Sequence, residues 1–113
     1  MSKGLANGIV ELHNANCCTI RINGVRLFQS YDTIYALTYR RPDNGYRVTV
    51  RLPKISQTTT RKFHRYFLDG GTDYEIDAGQ FECLVTVVRN GATLGEVDKA
   101  VRSILGARYP LGM

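Results

Sequence analysis

The chain has 113 residues, which suits one compact domain and is too short for two ordinary ones, so we predict a single domain over residues 1–113. Its 43% hydrophobic and 22% charged residues exclude disordered and fibrous classes, and no apolar run approaches the roughly 18 residues of a membrane span. The formal net charge of +5 favours an anionic partner over a cationic one.

The segment CTIRINGVRLF, residues 18–28, predicts a β-hairpin. Asn23 and Gly24 are a residue pair that a type I′ turn favours, because both central positions of that turn have positive φ. A two-residue loop pairs Ile22 with Val25, Arg21 with Arg26, and Ile20 with Leu27. One face of the hairpin is therefore apolar, and the other has two arginines directly opposite each other. Such like charges are destabilising unless an anion lies over them.

A second hairpin is predicted where TIYALTYR and YRVTVRL flank the turn-forming segment RPDNG. Pairing Tyr39 with Tyr46 places Leu37 opposite Val48, Tyr35 opposite Val50, Thr38 opposite Arg47, and Ile34 opposite Arg51. One face is again apolar and the other basic. A register shift by an even number of residues keeps this division of the faces.

The second half of the chain predicts two helices and two further strands. ISQTTTRKFHRYFLDGG contains a helix over roughly residues 59–68, with Phe63, Tyr66 and Phe67 as its buried stripe and DGG at its end. TDYEID is expected to be a short strand and QFECLVTVV a longer one. TLGEVDKAVRSILG predicts the last helix, with Thr93 and Glu96 as a capping box. The predicted fold is α+β, an antiparallel sheet of two or more hairpins with two helices packed on one face.

The start of the first predicted helix has a charge distribution that is unfavourable in isolation. Three threonines at residues 58–60 offer capping hydroxyls and are followed by Arg61, Lys62 and Arg65. A helix N-terminus already has unpaired N–H groups and the positive end of the macrodipole. A bound phosphate, sulfate or carboxylate would relieve this excess of positive charge. The alternative is a threonine cap followed by a solvated basic face, which requires no ligand.

Basic residues are concentrated in the middle of the chain. Residues 40–65 include eight basic side chains and one acid, whereas residues 69–98 include seven acids and one basic side chain. Cations interleaved with aromatic rings commonly hold single-stranded nucleic acid, and Tyr39, Tyr46 and His64 are candidate stacking surfaces. The residues predicted to bind nucleic acid or another anion are Arg21, Arg26, Arg47, Arg51, Thr58, Thr59, Thr60, Arg61, Lys62 and Arg65.

No pattern in the sequence indicates catalysis, a cofactor or a metal site. His13 and His64 are the only histidines and lack the spacing of a metal or triad motif, and the glycine-rich phosphate-binding motifs are absent. The three cysteines match neither a disulfide framework nor a zinc site. The alternating carboxylates of TDYEID are more typical of a solvated strand than of a divalent-ion site. We therefore expect a binding protein with no enzyme activity, cofactor or metal.

Two segments together resemble a pattern of short phage-encoded proteins of unassigned function. The pattern is roughly SYxTxVAxY followed by YSxTTSKHxxxF, and here SYDTIYALTY is followed by ISQTTTRKFHRY. The matching positions are Ser30, Tyr31, Thr33, Ala36, Ser56, Thr58 and Thr59. Thr60 and Arg61 are conservative replacements, whereas Ile55 stands in place of Tyr and Lys62 in place of His. The resemblance implies a viral accessory protein and offers no catalytic residues to transfer.

Two functions are consistent with these observations, and neither requires a membrane. The first is a phage accessory protein whose basic surface binds DNA, RNA or another anionic partner in the host cytoplasm. The alternative is an inhibitor or takeover factor that docks a host protein through its bipolar surface. A virion component is a third outcome. The partner, the strand order and the oligomeric state, including a homo-oligomer, are left open by the sequence.

Overall fold

The computed structural model describes residues 8–43, 45–53, 56–67 and 73–109. The strands are β1 (Ile9–Asn14), β2 (Cys17–Ile22), β3 (Val25–Ser30), β4 (Thr33–Arg40), β5 (Arg47–Arg51) and β6 (Asp73–Glu75). The helices are α1 (Gln57–Tyr66), α2 (Ala78–Arg89) and α3 (Leu94–Leu105), followed by a 3₁₀ turn (Gly106–Arg108). The α+β prediction is confirmed. None of the described helices combines the length and the apolar character that a membrane crossing requires.

The six strands form one sheet in the order β1-β2-β3-β4-β5-β6. Neighbours from β1 to β5 are antiparallel, whereas β5 and β6 are parallel, so the sheet is mixed and mostly antiparallel. The first predicted hairpin is confirmed, because Arg21 lies opposite Arg26 and Ile22 lies opposite Val25. Its turn has the expected positive φ at Asn23 (49°) and Gly24 (86°).

The second hairpin forms, but its predicted register is wrong by two residues. Leu37 lies opposite Val50 instead of Val48, and Arg40 lies opposite Arg47. The reason is a tighter loop, since the N–H of Arg41 donates to the carbonyl of Tyr46 at 2.8 Å. Because the shift is even, the division into an apolar and a basic face is retained.

Helices cover both faces of the sheet. On one face, the helix-pair face, Leu27, Leu37, Val48 and Val50 pack in one core with buried side chains of α2 and α3. On the opposite face, the α1 face, the alternate strand residues Phe28 and Ala36 pack with Phe63 and Phe67. The predicted α1 and α3 therefore lie on different faces. The prediction of two helices packed on one face is not confirmed.

The segment QFECLVTVV, predicted to be a strand, lies in α2 instead. The side chain of Asp77 caps this helix by accepting a hydrogen bond of 2.8 Å from the N–H of Gly79. Phe81, Leu84 and Val88 are buried at spacings of three and four residues, which is the helical period. The cap and this spacing outweigh the preference of β-branched residues for strands.

The final helix follows the prediction closely. Thr93 and Glu96 make both hydrogen bonds of the capping box. Gly106 follows α3 with φ of 55°, a conformation that favours glycine. The short strand predicted in TDYEID is β6, whereas the DGG segment predicted to end α1 lies outside the described residues.

Candidate nucleic-acid interface

Helix α1 begins two residues earlier than predicted, and Ser56 is its cap. The side chain of Ser56 accepts a hydrogen bond of 3.1 Å from the N–H of Thr59, and the hydroxyl of Thr60 donates to the Ser56 carbonyl at 2.8 Å. The first turn of α1 contains no acidic residue. The positive end of this helix is therefore not balanced by a local carboxylate side chain.

The three threonines have different environments. Thr59 is buried at 3% exposure, and its hydroxyl lies 3.3 Å from that of Ser30 on β3. The hydroxyl of Thr60 is used within the helix, as described above. Thr58 is exposed. Thr59 thus anchors α1 to the sheet, and the predicted contact of all three hydroxyls with an anion does not fit this arrangement.

The basic residues of α1 line one cleft of about 260 Å³, together with Thr58 and side chains from outside the helix. We call it the α1 cleft, and its lining residues are Asn14, Thr58, Arg61, Lys62, Arg65 and Tyr66. Within the described part of the chain, no carboxylate forms an ion pair with Arg61, Lys62 or Arg65. The spacing of these residues along α1 places them on its solvent side, because Phe63 and Phe67 occupy the side that faces the sheet.

Aromatic rings accompany these cations. The ammonium of Lys62 lies 5.3 Å from the ring centroid of Tyr31, and the guanidinium of Arg65 lies 5.4 Å from that of Tyr66. The Tyr66 ring is stacked on His13 of β1, with centroids 4.7 Å apart and planes at 4°. Tyr31 is 60% exposed. The α1 cleft therefore combines positive charge with accessible π surface.

A second basic cleft, of about 360 Å³, lies on the sheet, and we call it the arginine cleft. Its lining includes Arg21, Arg26, Arg40 and Arg47, and no acidic residue is found among the described side chains that line it. Arg21 is directly opposite Arg26, and Arg40 is directly opposite Arg47. Because strand side chains alternate, all four start from the α1 face.

Each of these arginines has contacts with other groups of the chain. Arg21 has an ion pair of 3.2 Å with Glu11 in which both side chains are about half exposed. Arg40 donates to the carbonyl of Gly45 at 3.1 Å, and the Arg26 guanidinium lies 5.2 Å from the Phe67 ring centroid. Arg26 thus links the arginine cleft to the packed side of α1. Exposed ion pairs such as that of Arg21 contribute little stability.

Arg51 is in neither cleft. It forms an ion pair with Asp73 and a second one, of 3.5 Å, with Glu75, both on the neighbouring strand β6. These pairs arise because β5 and β6 are parallel, with Thr49 opposite Asp73 and Arg51 opposite Glu75. The prediction that Arg51 binds an external anion does not fit this arrangement, since two carboxylates of the same chain already neutralise it.

One other predicted contribution also changes. Tyr39 is 1% exposed and packs in the core of the helix-pair face, so it offers no stacking surface. Tyr46 is 43% exposed, as a stacking surface requires. Arg40 was not among the residues predicted to bind an anion. The register of β4 and β5 places it opposite Arg47, on the same face of the sheet.

Comparisons with protein-family models, with curated proteins and with solved structures find no match to this chain. The arrangement of the residues themselves is therefore the basis for assigning a function.

Proposed function

We propose that this protein binds single-stranded nucleic acid through the α1 face of its sheet. The observation that carries the proposal is the α1 cleft, in which Arg61, Lys62 and Arg65 converge without a carboxylate partner among the described residues. Gathering like charges in one cleft costs free energy in the unliganded protein, and a bound anion offsets that cost.

A polyanion fits better than a single small anion. The arginine cleft begins on the same face of the sheet as α1, and Arg26 contacts Phe67 beside the end of that helix. Two basic clefts whose cations start from one face of the sheet suit a ligand with repeated phosphates, because each cleft can neutralise a different phosphate. Arginine side chains are well matched to phosphate oxygens, since their planar N–H groups can bind two oxygens at once.

Single strands are favoured over duplexes by the aromatic rings near the cations. Tyr31 is 60% exposed. Its ring is in contact with Lys62 of the α1 cleft, and the Tyr66 ring lies close to Arg65 of the same cleft. Unstacked bases can lie on such rings while the backbone contacts the cations. We expect little sequence preference, because no base-reading motif is present.

The resemblance to short phage-encoded proteins is compatible with this role. A viral accessory protein that acts by binding needs neither catalytic residues nor a cofactor, and its place of action would be the host cytoplasm. The carboxylates considered as a divalent-ion site have other partners, since Asp73 and Glu75 pair with Arg51 and Asp77 caps α2.

The proposal is tested by fluorescence anisotropy with single-stranded DNA and RNA of about 20 nucleotides. The intact protein should bind at low salt, with an affinity that falls steeply as salt increases. Reversing two charges of the α1 cleft, Arg61→Glu and Arg65→Glu together, should raise the dissociation constant at least about tenfold. The slope of log affinity against log salt concentration should become shallower by about 1.4. The matched control reverses two charges elsewhere, Arg89→Glu and Lys99→Glu together, at exposed positions of α2 and α3, which pack on the helix-pair face. Absence of binding by the intact protein at low salt, or equal losses in both variants, would refute the proposal.

A second candidate function is docking to a host protein. The observation in its favour is the uneven charge of the surface, because Glu82 of α2 and Glu96 of α3 are exposed on helices that cover the other side of the sheet from α1. Complementary charge accelerates and orients protein association. Purification from host lysate with and without nuclease separates the two functions: a partner that remains after nuclease treatment favours docking to a protein.

A further inference from the structure

Strand β4 ends beside the arginine cleft, and both sequence neighbours of Arg40 are held from the opposite face of the sheet. Arg40 starts from the α1 face, whereas Tyr39 packs in the core of the helix-pair face. Arg41, the first residue after the strand, contacts Tyr109, which belongs to the same core. Because strand side chains alternate, these two neighbours are anchored on one side of the sheet while Arg40 lies on the other.

Tyr109 is the residue that joins both anchors. Its ring centroid lies 4.7 Å from the guanidinium carbon of Arg41. Its hydroxyl donates to the carboxylate of Asp98, which also accepts a hydrogen bond of 2.7 Å from Tyr39. Tyr109 is buried, and a cation over a ring contributes more in such a place than at an exposed one. One side chain after α3 therefore holds the end of β4 at two positions.

Arg41 in turn organises the loop that connects β4 with β5. Its backbone N–H donates to the carbonyl of Tyr46 at 2.8 Å, and its own carbonyl accepts from the N–H of Gly45 at 2.8 Å. Its guanidinium forms an ion pair of 2.8 Å with Asp43, although the Arg41 side chain is only 6% exposed. The position of this loop thus depends on where Arg41 is held.

The same loop determines the position of two arginines of the arginine cleft. Arg40 and Arg47 flank the loop and lie directly opposite each other. Arg40 donates to the carbonyl of Gly45 at 3.1 Å, and Arg47 donates to the hydroxyl of Thr38 at 3.4 Å. Like charges in this relation repel each other, so a loop released from its anchor would let the two guanidinium groups move apart.

We propose that Tyr109 is a positioning residue for the arginine cleft: by holding Arg41 it fixes the loop between β4 and β5, and it thereby keeps Arg40 and Arg47 together for a phosphate of the bound strand. This role rests on the proposed binding of single-stranded nucleic acid. It concerns a residue that is outside the lining of both clefts. Side chains that are ordered before binding lose less entropy when the ligand binds, so the affinity is higher.

Fluorescence anisotropy with a labelled oligothymidylate of about 20 nucleotides tests this role in the full chain. Tyr109→Leu removes the ring from Arg41 and should raise the dissociation constant about threefold to tenfold, the range expected when one side chain must be ordered on binding. The matched control Tyr109→Phe retains the ring and loses only the hydroxyl. It should lower the stability of the protein, whereas the dissociation constant should stay within about twofold of the original. Equal losses of affinity in both variants would show that Tyr109 supports only the fold, which overturns the proposal.

A double-mutant cycle tests whether the effect acts through the arginine cleft. Arg40→Gln and Arg47→Gln together should weaken binding. Adding Tyr109→Leu to this pair should change the dissociation constant by less than about twofold, because no arginine beside the loop remains to be positioned in the cleft. Losses that add in full, or a pair of substitutions without effect on binding, overturn the proposal.

Arg41→Lys keeps the proposal testable if Tyr109→Leu does not fold, which circular dichroism checks. This variant preserves the charge but lacks the planar group that stacks on the ring, so it should raise the dissociation constant at least about threefold. A folded Arg41→Lys with unchanged affinity overturns the positioning role. If the intact protein binds no oligothymidylate at low salt, the proposed function fails and this inference fails with it. Binding that Tyr109→Leu leaves unchanged refutes the positioning role alone.

Discussion

The hydroxyl of Tyr39 donates a hydrogen bond of 2.7 Å to the buried carboxylate of Asp98, which joins β4 to α3 across the core of the helix-pair face. Tyr109 donates to the same carboxylate oxygen. The ring of Tyr109 lies close to two guanidinium groups, with its centroid 4.7 Å from that of Arg41 and 4.9 Å from that of Arg102. One carboxylate therefore connects the sheet, α3 and the segment after it.

Replacing Asp98 with Ala should destabilise the protein, because two buried tyrosine hydroxyls lose their acceptor. Each unsatisfied buried group costs about 1–3 kcal/mol, so the free energy of unfolding should fall by about 2–6 kcal/mol. Urea denaturation measures this quantity. The control Glu82→Ala removes an exposed carboxylate from α2 and should change it by less than about 0.5 kcal/mol. A similar small loss for Asp98→Ala would show that the network contributes little.

Alkaline pH should weaken the same network. Burial raises the pKa of Tyr39, and the hydrogen bond to Asp98 raises it further. Above about pH 10 a tyrosine ionises in the unfolded chain while folded Tyr39 keeps its proton, so its stabilisation is complete below pH 10 and decreases as the pH rises. The decrease should approach about 1.4 kcal/mol per pH unit and be smaller in Tyr39→Phe, where only Tyr109, whose pKa burial also raises, remains on this carboxylate. Urea unfolding between about pH 8 and 11 measures it, with the exposed Tyr31→Phe as control.

The parts of the fold that depend on local signals were predictable. The turn at Asn23 and Gly24 defines the first hairpin, and the capping box at Thr93 and Glu96 defines the start of α3. The strand prediction for QFECLVTVV failed because β-branched content was given more weight than the helical spacing of its buried residues. The side of the sheet on which a helix packs depends on tertiary packing, which local patterns do not specify.

The candidate site was predictable to a similar extent. Arg61, Lys62 and Arg65 share a cleft because helical spacing alone places them on one side of α1. The partner of Arg51 was not predictable, since Asp73 follows it by 22 residues and meets it only through the parallel pairing of β5 with β6. The burial of Thr59 against Ser30 likewise depends on where α1 docks.

Arg51 should therefore contribute to stability and not to nucleic-acid binding. Arg51→Ala removes a partly buried ion pair and should lower the free energy of unfolding by about 1–3 kcal/mol. Its affinity for single-stranded DNA should stay within about twofold of the original. Arg61→Ala should show the reverse, with weaker binding and little change in stability. Anisotropy and urea denaturation on both variants provide the comparison, and a large loss of binding in a folded Arg51→Ala would contradict the assignment.

The three cysteines should differ strongly in reactivity. Cys83 is exposed on α2, whereas Cys17 and Cys18 are buried at the start of β2. Burial raises the pKa of Cys18, and the neighbouring Cys17 raises it further, so less of the reactive thiolate forms there. Titration of the native protein with a thiol reagent at about pH 8 should modify one thiol rapidly and two only on unfolding. Cys83→Ser should remove the rapid phase. A rapid phase that persists in this variant would place a reactive thiol in β2.

The first turn of α1 offers a test that separates stability from binding. Gln57 is the exposed first residue of this helix, four positions before Arg61. Gln57→Glu adds the missing negative charge near the positive end of the helix and should raise the free energy of unfolding by about 0.3–1 kcal/mol. The same carboxylate would partly neutralise Arg61, so the affinity for single-stranded DNA should fall about threefold to tenfold.

The matched control is Gln80→Glu in the first turn of α2, which also lacks an acidic residue. It should stabilise the protein by less, because the carboxylate of Asp77 already caps α2, and it should leave the affinity unchanged, because α2 lies on the other side of the sheet from the α1 cleft. If Gln57→Glu also stabilises the protein without weakening binding, then the basic residues of α1 are a solvated face and the α1 cleft is not the binding site. Opposite changes in stability and affinity for Gln57→Glu alone would show that positive charge is retained at this helix for a ligand, at the expense of the unliganded fold.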